Sequence, residues 1–253
     1  IWPKRKSYTS NTSDHKTMAK SKLINSFSLC QNLSAPEKFG IDAVGNLTDN
    51  ENLYFCYVVD GHGGCKNSDI LVKNFQAYVL SLKDVFAQLN NTTQDIHDFF
   101  ERLTENFYIE HRGKLRPAAM SILIVIFSQT QIYSAHLGDC RLGKINNEQQ
   151  ISWITYPHNL AMSLNNQTDP QSIEMILRSS SNDNIVTKSF NTKKLKPLSF
   201  KTLDIEKKST YILASDGFWK LSENDIKTII YSKNLSEVSS LFDDISLWVI
   251  SFI

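Results

Sequence analysis

The most informative stretch of the chain reads YVVDGHGG, over residues 57–64. Residues 53–59 form a short apolar run with aromatic and β-branched side chains, which predicts a buried strand. The run ends at Asp60, and Gly61 and His62 follow it. A carboxylate at the end of a strand, beside a glycine that permits close approach, can offer a side-chain and a main-chain oxygen to a hard cation. The alternative is a structural turn that merely contains an aspartate and a histidine.

Three further apolar runs are bounded by acids. They read YILASDG, IYSAHLGD and DDISLWVI, and their acids include Asp216, Asp139 and Asp243. If the four strand ends converge, they form an all-oxygen, carboxylate-rich pocket. Such a pocket suits Mg²⁺ or Mn²⁺ and not zinc.

In this order, the four motifs resemble those of a metal-dependent phosphatase family, protein phosphatase 2C, from about residue 37 onward. DGHGG at 60–64 is similar to the family's Asp-Gly-His-Gly-Gly, and GDCR at 138–141 to its Gly-Asp-Ser-Arg. ASDGFW at 214–219 is similar to Ala-Ser-Asp-Gly-Leu-Trp, and DDISL at 243–247 to Asp-Asn-Ile-Thr-Val. The resemblance implies an α+β fold: a four-layer α/β/β/α sandwich, with two central antiparallel sheets flanked by helices.

The resemblance also implies hydrolysis of phosphoserine and phosphothreonine in proteins, with two Mg²⁺ or Mn²⁺ ions and a candidate third. Asp60 would be catalytic, because it bridges both ions and so holds the attacking water. The other implied ligands are Asp216 and Asp243 at the first ion, Glu37 at the second, the Gly61 carbonyl at one of these two, and Asp139 at the third.

His62 would be the general acid that protonates the leaving serine or threonine oxygen. Simpler roles stay open for several of these residues. His62 can be only a hydrogen-bond partner of the bridging acid, Asp139 a turn cap, and Glu37 a solvated loop carboxylate. Asp244 is expected to be a solvated neighbour of Asp243.

Several positions depart from the family's pattern. Leu33 stands where the family has a phosphate-gripping arginine, and Lys38 replaces an acid after Glu37. RPAAM at 116–120 replaces the usual Gly-Ser/Thr-Thr-Ala turn, and TKSFNT at 187–192 stands where Ser-Arg-Ala-Leu-Gly-Asp is usual. Lys38 is therefore the predicted substrate-binding residue, with Lys66 as an alternative. A pseudophosphatase, a regulatory scaffold with weak or no activity, is the alternative function.

Composition and charge narrow the classes of partner and cellular location that remain. A net charge of +1 on 253 residues gives no general attraction to nucleic acid. No run approaches the roughly 18 apolar residues of a membrane span. The four cysteines lack metal-ligand spacing and predict reduced thiols in a cytoplasmic protein, although an even count also permits a disulfide. The expected partners are a phosphorylated protein substrate and a regulatory protein.

Residues 1–22 are polar and basic and predict an N-terminal extension, so that 23–253 form the catalytic domain. Predicted helices span 67–83 and 95–111, and two more begin after the caps Asp169 and Ser222. The predicted strands span 53–59, 121–127, 132–137, 150–156, 209–215 and 245–253. The run at 121–127 hardly alternates, which predicts a strand buried on both faces.

Overall fold

The structure, a computed structural model, describes residues 23–31, 41–62, 66–165, 167–206, 208–238 and 243–252, with side chains from Ser26 onward. Several predictions fall outside these residues: the extension 1–22, Leu33, Glu37, Lys38, Gly63, Gly64 and Cys65. The division into an extension and a catalytic domain therefore stays a prediction.

Groups of strands and groups of helices follow one another along the described chain. The strands are β1 (Leu23–Gln31), β2 (Asp42–Leu47), β3 (Tyr54–His62), β4 (Ala119–Phe127), β5 (Gln131–Leu137), β6 (Arg141–Ile145), β7 (Ile151–Trp153), β8 (Phe190–Asn191), β9 (Ser199–Asp204), β10 (Thr210–Ala214) and β11 (Ile245–Phe252). The helices are α1 (Lys66–Ser81), α2 (Lys83–Ala87), α3 (Thr93–His111), α4 (Leu160–Ser163), α5 (Pro170–Ser179), α6 (Asp216–Trp219) and α7 (Glu223–Ser232), with a 3-10 helix at Leu235–Glu237.

The strands form two antiparallel sheets. The five-stranded sheet has the order β1-β11-β10-β6-β7. The six-stranded sheet has the order β2-β3-β4-β5-β9, and β8 pairs with the beginning of β4. The two sheets stack, and helices cover their outer faces.

Strand β4 shows how the layers are built, because it is buried on both faces as predicted. Ile122 and Ile124 pack in the apolar cluster that includes α1 and α3, whereas Leu123 and Val125 pack against the other sheet. Strand β11 divides its side chains in the same way between the other sheet and the cluster that includes α6 and α7. Three apolar interfaces thus separate four layers, which confirms the predicted α/β/β/α sandwich.

The predicted helix caps are confirmed. The Asp169 carboxylate accepts a hydrogen bond from the Ser172 amide at 2.8 Å, and the Ser222 hydroxyl accepts one from the Asp225 amide at 3.1 Å. These oxygens satisfy amides that have no partner within the helix. The predicted helix at 67–83 is divided, because α1 ends at Ser81 and α2 begins at Lys83.

Several strand predictions were wrong or missing. The predicted strand at 150–156 covers only Ile151–Trp153, because the amides of Ile154 and Thr155 both donate to the Leu142 carbonyl, outside the regular pairing. Strand β9 was missed, since its six residues are half-buried or exposed at a sheet edge and make no apolar run. Strands β1, β2, β6 and β8 were also missed.

None of the helices described in the structure combines the length and the apolar character that crossing a bilayer requires. The described cysteines, Cys30, Cys56 and Cys140, are free thiols, as predicted.

Candidate active site

The end of β3 brings Asp60 to one end of the sandwich. This strand is paired on both sides, so that Asp60 lies opposite Asp42 on β2 and opposite Ser121 on β4. The Gly61 amide donates to the Ile41 carbonyl at 3.1 Å, which extends the pairing beyond the acid. Asp60 is thus held on both sides with its carboxylate buried.

His62 lies between two carboxylates. Its Nδ1 is 3.7 Å from Oδ2 of Asp60, and its Nε2 is 3.6 Å from Oδ1 of Asp139. Nε2 also lies 2.5 Å from the Ser121 hydroxyl, which itself donates to Oδ1 of Asp139 at 2.6 Å. Because the hydroxyl proton goes to Asp139, Nε2 is the donor to Ser121. One potential ligand atom from each of Asp60, His62 and Asp139 lies within 4.8 Å of the others.

The loop that carries Asp139 is held from three directions. Gly138 has φ +119°, and a Cβ there would overlap the Ser121 side chain, so this position requires glycine. The Gly138 amide donates to Nδ1 of His158 at 3.1 Å, and Nε1 of Trp219 donates to the Asp139 carbonyl at 2.8 Å. The Asp139 carboxylate bonds to Ser121 across the sheet, which disfavours the turn-cap alternative.

His158 belongs to the support of this loop. Its ring stacks on that of His136 with centroids 4.5 Å apart, and Nε2 lies 2.9 Å from the Ser199 hydroxyl. Burial, with the adjacent His136, lowers the pKa of His158 to about 3. The ring is therefore neutral, as its acceptor role toward Gly138 requires.

Arg141 also stabilises the region around Asp139. It is fully buried, and its guanidinium lies 4.8 Å from the Trp153 ring and 5.0 Å from the Trp219 ring. It forms a two-pronged ion pair with Glu174 of α5. The planar guanidinium group can form two parallel hydrogen bonds with a carboxylate and can also stack on aromatic rings. Through Trp219, this arginine fixes the position of the Asp139 loop.

Asp216 begins α6, directly after β10 of the other sheet, and it has a partner that the sequence did not indicate. Lys220 Nζ lies 2.9 Å from Oδ2 of Asp216 and 3.5 Å from Oδ2 of Asp183. It also donates to the side chain of Asn184. A lysine is therefore paired with one of the predicted metal ligands.

The Asp243 segment approaches α6 closely. A Cβ on Gly217 would overlap the Asp244 carbonyl and lie 3.2 Å from Cβ of Asp243, so glycine permits this contact. Asp243 is exposed, and its Oδ1 accepts from the Asp244 amide at 2.9 Å. The expectation that Asp244 is solvated was wrong, because it is only 7% exposed at the start of the buried strand β11.

The pKa values of Asp60 and Asp216 depend on the charges of the neighbouring carboxylates. Burial raises the pKa of Asp60 well above its usual value, and the charges of Asp42, Asp216 and Asp139 raise it further. Burial, followed by the charge of Asp139, also raises the pKa of Asp216, and Lys220 opposes this shift. The acids from both sheets therefore form one electrostatic cluster.

Asp42 is the member of the cluster that sequence reasoning missed. It is 3% exposed, and its pKa is raised to about 8, chiefly by burial and also by the charge of Asp216. The sequence pattern that could have revealed Asp42 is that of a β-hairpin. Two segments, 42–47 and 54–60, flank the polar stretch TDNEN. Pairing these segments would have placed Asp42 opposite Asp60.

The donor set fits hard divalent cations. It consists of carboxylate oxygens, including the buried ones of Asp42, Asp60 and Asp139, a main-chain carbonyl at Gly61 and one imidazole. Buried like charges repel one another, and a cation offsets this repulsion. The structure brings together Asp60, His62 and Asp139, places Asp216 within electrostatic reach, and has Asp243 beside Gly217 of α6.

Comparison with known proteins agrees with this geometry. The family model described as Protein phosphatase 2C matches residues 19–163, more than half of the chain. The chain belongs to the protein phosphatase 2C family. No match to a curated protein was found.

Solved structures of similar fold include serine/threonine phosphatases. Stp1 from Staphylococcus aureus superposes with a TM-score of 0.74 at 17% identity, covering 94% of this chain and 98% of that one. The S. agalactiae serine/threonine phosphatase has a TM-score of 0.71 at 18% identity, with coverages of 90% and 98%. The catalytic domain of PstP, in complex with two manganese ions, has a TM-score of 0.68 at 14% identity, with coverages of 90% and 98%. At these identities the likeness concerns the fold.

Proposed function

We propose that this protein hydrolyses phosphoserine and phosphothreonine in proteins, with a water activated by two Mg²⁺ or Mn²⁺ ions. The observation that carries the proposal is the convergence of Asp60, His62 and Asp139 within 4.8 Å. Membership of the protein phosphatase 2C family supports it, and so does the manganese complex of PstP.

The proposed metal ligands are those expected from the sequence, with one addition. They are Asp60, the Gly61 carbonyl, Asp216, Asp243 and Glu37, with Asp139 for a third ion and Asp42 added because it lies opposite Asp60. Divalent ions bound there would lower the pKa of a bound water and offset charge on the phosphoryl oxygens.

The protein side chains supply the remaining chemistry. His62, held by Ser121 between two carboxylates, donates a proton to the leaving serine or threonine oxygen. Lys38 is proposed to contact the substrate phosphate from the position beside Glu37. The cytoplasmic location and the regulatory partner stay predictions.

The test is divalent-metal dependence of hydrolysis. A phosphothreonine peptide and p-nitrophenyl phosphate are incubated with the protein in manganese, with and without EDTA. We expect turnover in manganese, none in EDTA, and loss of nearly all turnover in Asp216→Asn with the fold intact by circular dichroism. Asp204→Asn, a change at an exposed β9 carboxylate, is the control and should match the parent.

The scaffold alternative makes the opposite prediction. A protein that binds manganese in calorimetry but hydrolyses neither substrate would contradict the proposed activity and support a pseudophosphatase. Retention of Asp60, His62 and Asp216 in one cluster favours the enzyme.

A further inference from the structure

A pocket of about 470 Å³ opens directly beside His62. Its other walls are residues 116–119 and 191–193, and all of them except Lys193 lie in two segments at which the sequence departs from the family's pattern. The structure brings these segments together, because Ala119 at the start of β4 pairs with Asn191 of β8. This chain's own divergent residues thus build the space next to the candidate general acid.

Hydrogen bonds hold the pocket walls. Thr192 Oγ1 donates to the Leu115 carbonyl at 2.8 Å, and the Gly113 amide donates to the Thr192 carbonyl at 3.0 Å. On the other side, the Ser68 hydroxyl donates to the His62 carbonyl and accepts from the Ala119 amide at 3.3 Å. The pocket and His62 are therefore parts of one connected framework.

The pocket combines an apolar surface with two cations. Pro117, Ala118 and Ala119 contribute the apolar part, and Arg116 and Lys193 contribute the charges. Both cationic residues are exposed, and neither forms an ion pair with the residues that the structure describes. Two available cations over an apolar floor complement an anionic side chain that has an aliphatic stem.

The position of the pocket indicates what reaches it. In the proposed function, on which this inference rests, His62 protonates the leaving oxygen of the phosphorylated residue. The peptide that carries this oxygen therefore lies on the His62 side of the site. Residues next to the phosphorylated one pass over the pocket.

We propose that this pocket binds an anionic side chain of the phosphoprotein substrate, a carboxylate or a second phosphate, within a few residues of the phosphate that is hydrolysed. Arg116 and Lys193 are the specificity-determining residues. The protein thus selects phosphorylated sites with an acidic neighbour.

The experiment compares phosphothreonine peptides that differ at one position. Each of the three positions on either side of the phosphothreonine carries alanine, glutamate or phosphoserine in turn, and kcat and KM are measured in manganese. For the preferred position, we expect the glutamate peptide to have a KM roughly tenfold below that of the alanine peptide, as suits one charge-assisted contact. If only the phosphoserine peptide is preferred, the pocket binds a second phosphate. If the glutamate and phosphoserine peptides are preferred equally, the pocket accepts either anion.

The variants are Arg116→Gln, Lys193→Gln and both together. The double variant should lose the tenfold preference through KM, and its loss on the glutamate peptide should exceed its loss on p-nitrophenyl phosphate, which has no flanking residues. Arg112→Gln and Lys194→Gln are the matched controls, because each removes an exposed positive charge near one of the two segments without lining the pocket. Both controls should keep the preference.

Equal KM values for the alanine, glutamate and phosphoserine peptides at all six positions would overturn the inference. So would a double variant that keeps the preference. If the parent hydrolyses no substrate, the proposed function fails separately, and fluorescence anisotropy of the same labelled peptides in manganese still decides the pocket. Tighter binding of the anionic peptides, lost in the double variant, supports the pocket, and equal binding contradicts it.

Discussion

At the scale of single residues, the surroundings of His62 determine what its proton can do. The Ser121 hydroxyl accepts a hydrogen bond from Nε2 and donates one to Oδ1 of Asp139, so the orientation of the ring depends on one hydroxyl. Nδ1 faces Asp60. The ring is thereby tied to two of the proposed metal ligands while it remains partly exposed to the pocket beside it.

The general-acid role of His62 depends on the leaving group. An alkoxide from threonine needs a proton in the transition state, whereas p-nitrophenolate leaves without one. We expect His62→Gln to lower kcat on a phosphothreonine peptide by roughly 10²–10⁴-fold, and to affect p-nitrophenyl phosphate far less. Steady-state kinetics on both substrates measure the difference. An equal loss on both would assign His62 to metal binding or to structure instead.

At the scale of elements, α6 carries a ligand and a competitor for that ligand. Asp216 begins the helix, and Lys220 follows its last residue, so that the two side chains meet at i and i+4. The same ammonium also pairs with Asp183 in the segment after α5. A metal ion at Asp216 therefore has to share the carboxylate with Lys220 or displace it.

Removing this ammonium should tighten metal binding. A charge-assisted hydrogen bond contributes about 1.5–3 kcal/mol, so we expect Lys220→Met to raise the affinity for manganese by about tenfold or more in isothermal calorimetry. Lys227→Met removes a similar i,i+4 pair with Glu223 on α7 and is the control. An unchanged or weaker affinity in Lys220→Met would show that the lysine supports the site and does not compete for it.

Helix α5 is joined to the five-stranded sheet by the pair of Arg141 and Glu174. Glu174→Ala would leave a fully buried guanidinium without its carboxylate, a loss that typically costs about 3–5 kcal/mol. At about 2–4 °C per kcal/mol for a domain of this size, the melting temperature should fall by about 6–20 °C. Glu223→Ala, which breaks an exposed pair, should cost about 1 kcal/mol or less. Similar shifts in the two variants would argue against a structural role for the buried pair.

At the scale of the whole molecule, the sequence predicted the buried parts well. The central strands β3, β4 and β11 have long apolar runs, because both of their faces are covered, and the four-layer architecture was expected by resemblance. Edge strands such as β9 leave no such signal.

The candidate site was partly predictable for the same reason. Asp60 and Asp139 lie at the ends of buried runs, so their motifs are visible in the sequence. Asp42 lies at the start of a strand that mixes polar and apolar residues, and Lys220 has no motif at all. Their positions depend on pairing between strands and on the contact of α6 with a distant segment, which local patterns do not encode.

The last prediction concerns the stability of the metal-free sandwich, because its acid cluster straddles both sheets. Asp42 has a folded pKa of about 8, against a usual value of 3.8. The folded protein therefore keeps a proton that the unfolded chain releases, so this carboxyl contributes its full stabilisation below about pH 4 and loses it as the pH rises toward 8. In EDTA, we expect the melting temperature to fall between pH 5 and pH 8, and saturating manganese to reverse the fall. Asp42→Asn should raise the melting temperature at pH 8 by at least about 2–4 °C, the equivalent of 1 kcal/mol, and should reduce the pH dependence. Asp204→Asn is the control. If the melting temperature of the parent protein in EDTA does not change between pH 5 and pH 8, the coupling of these acids is contradicted.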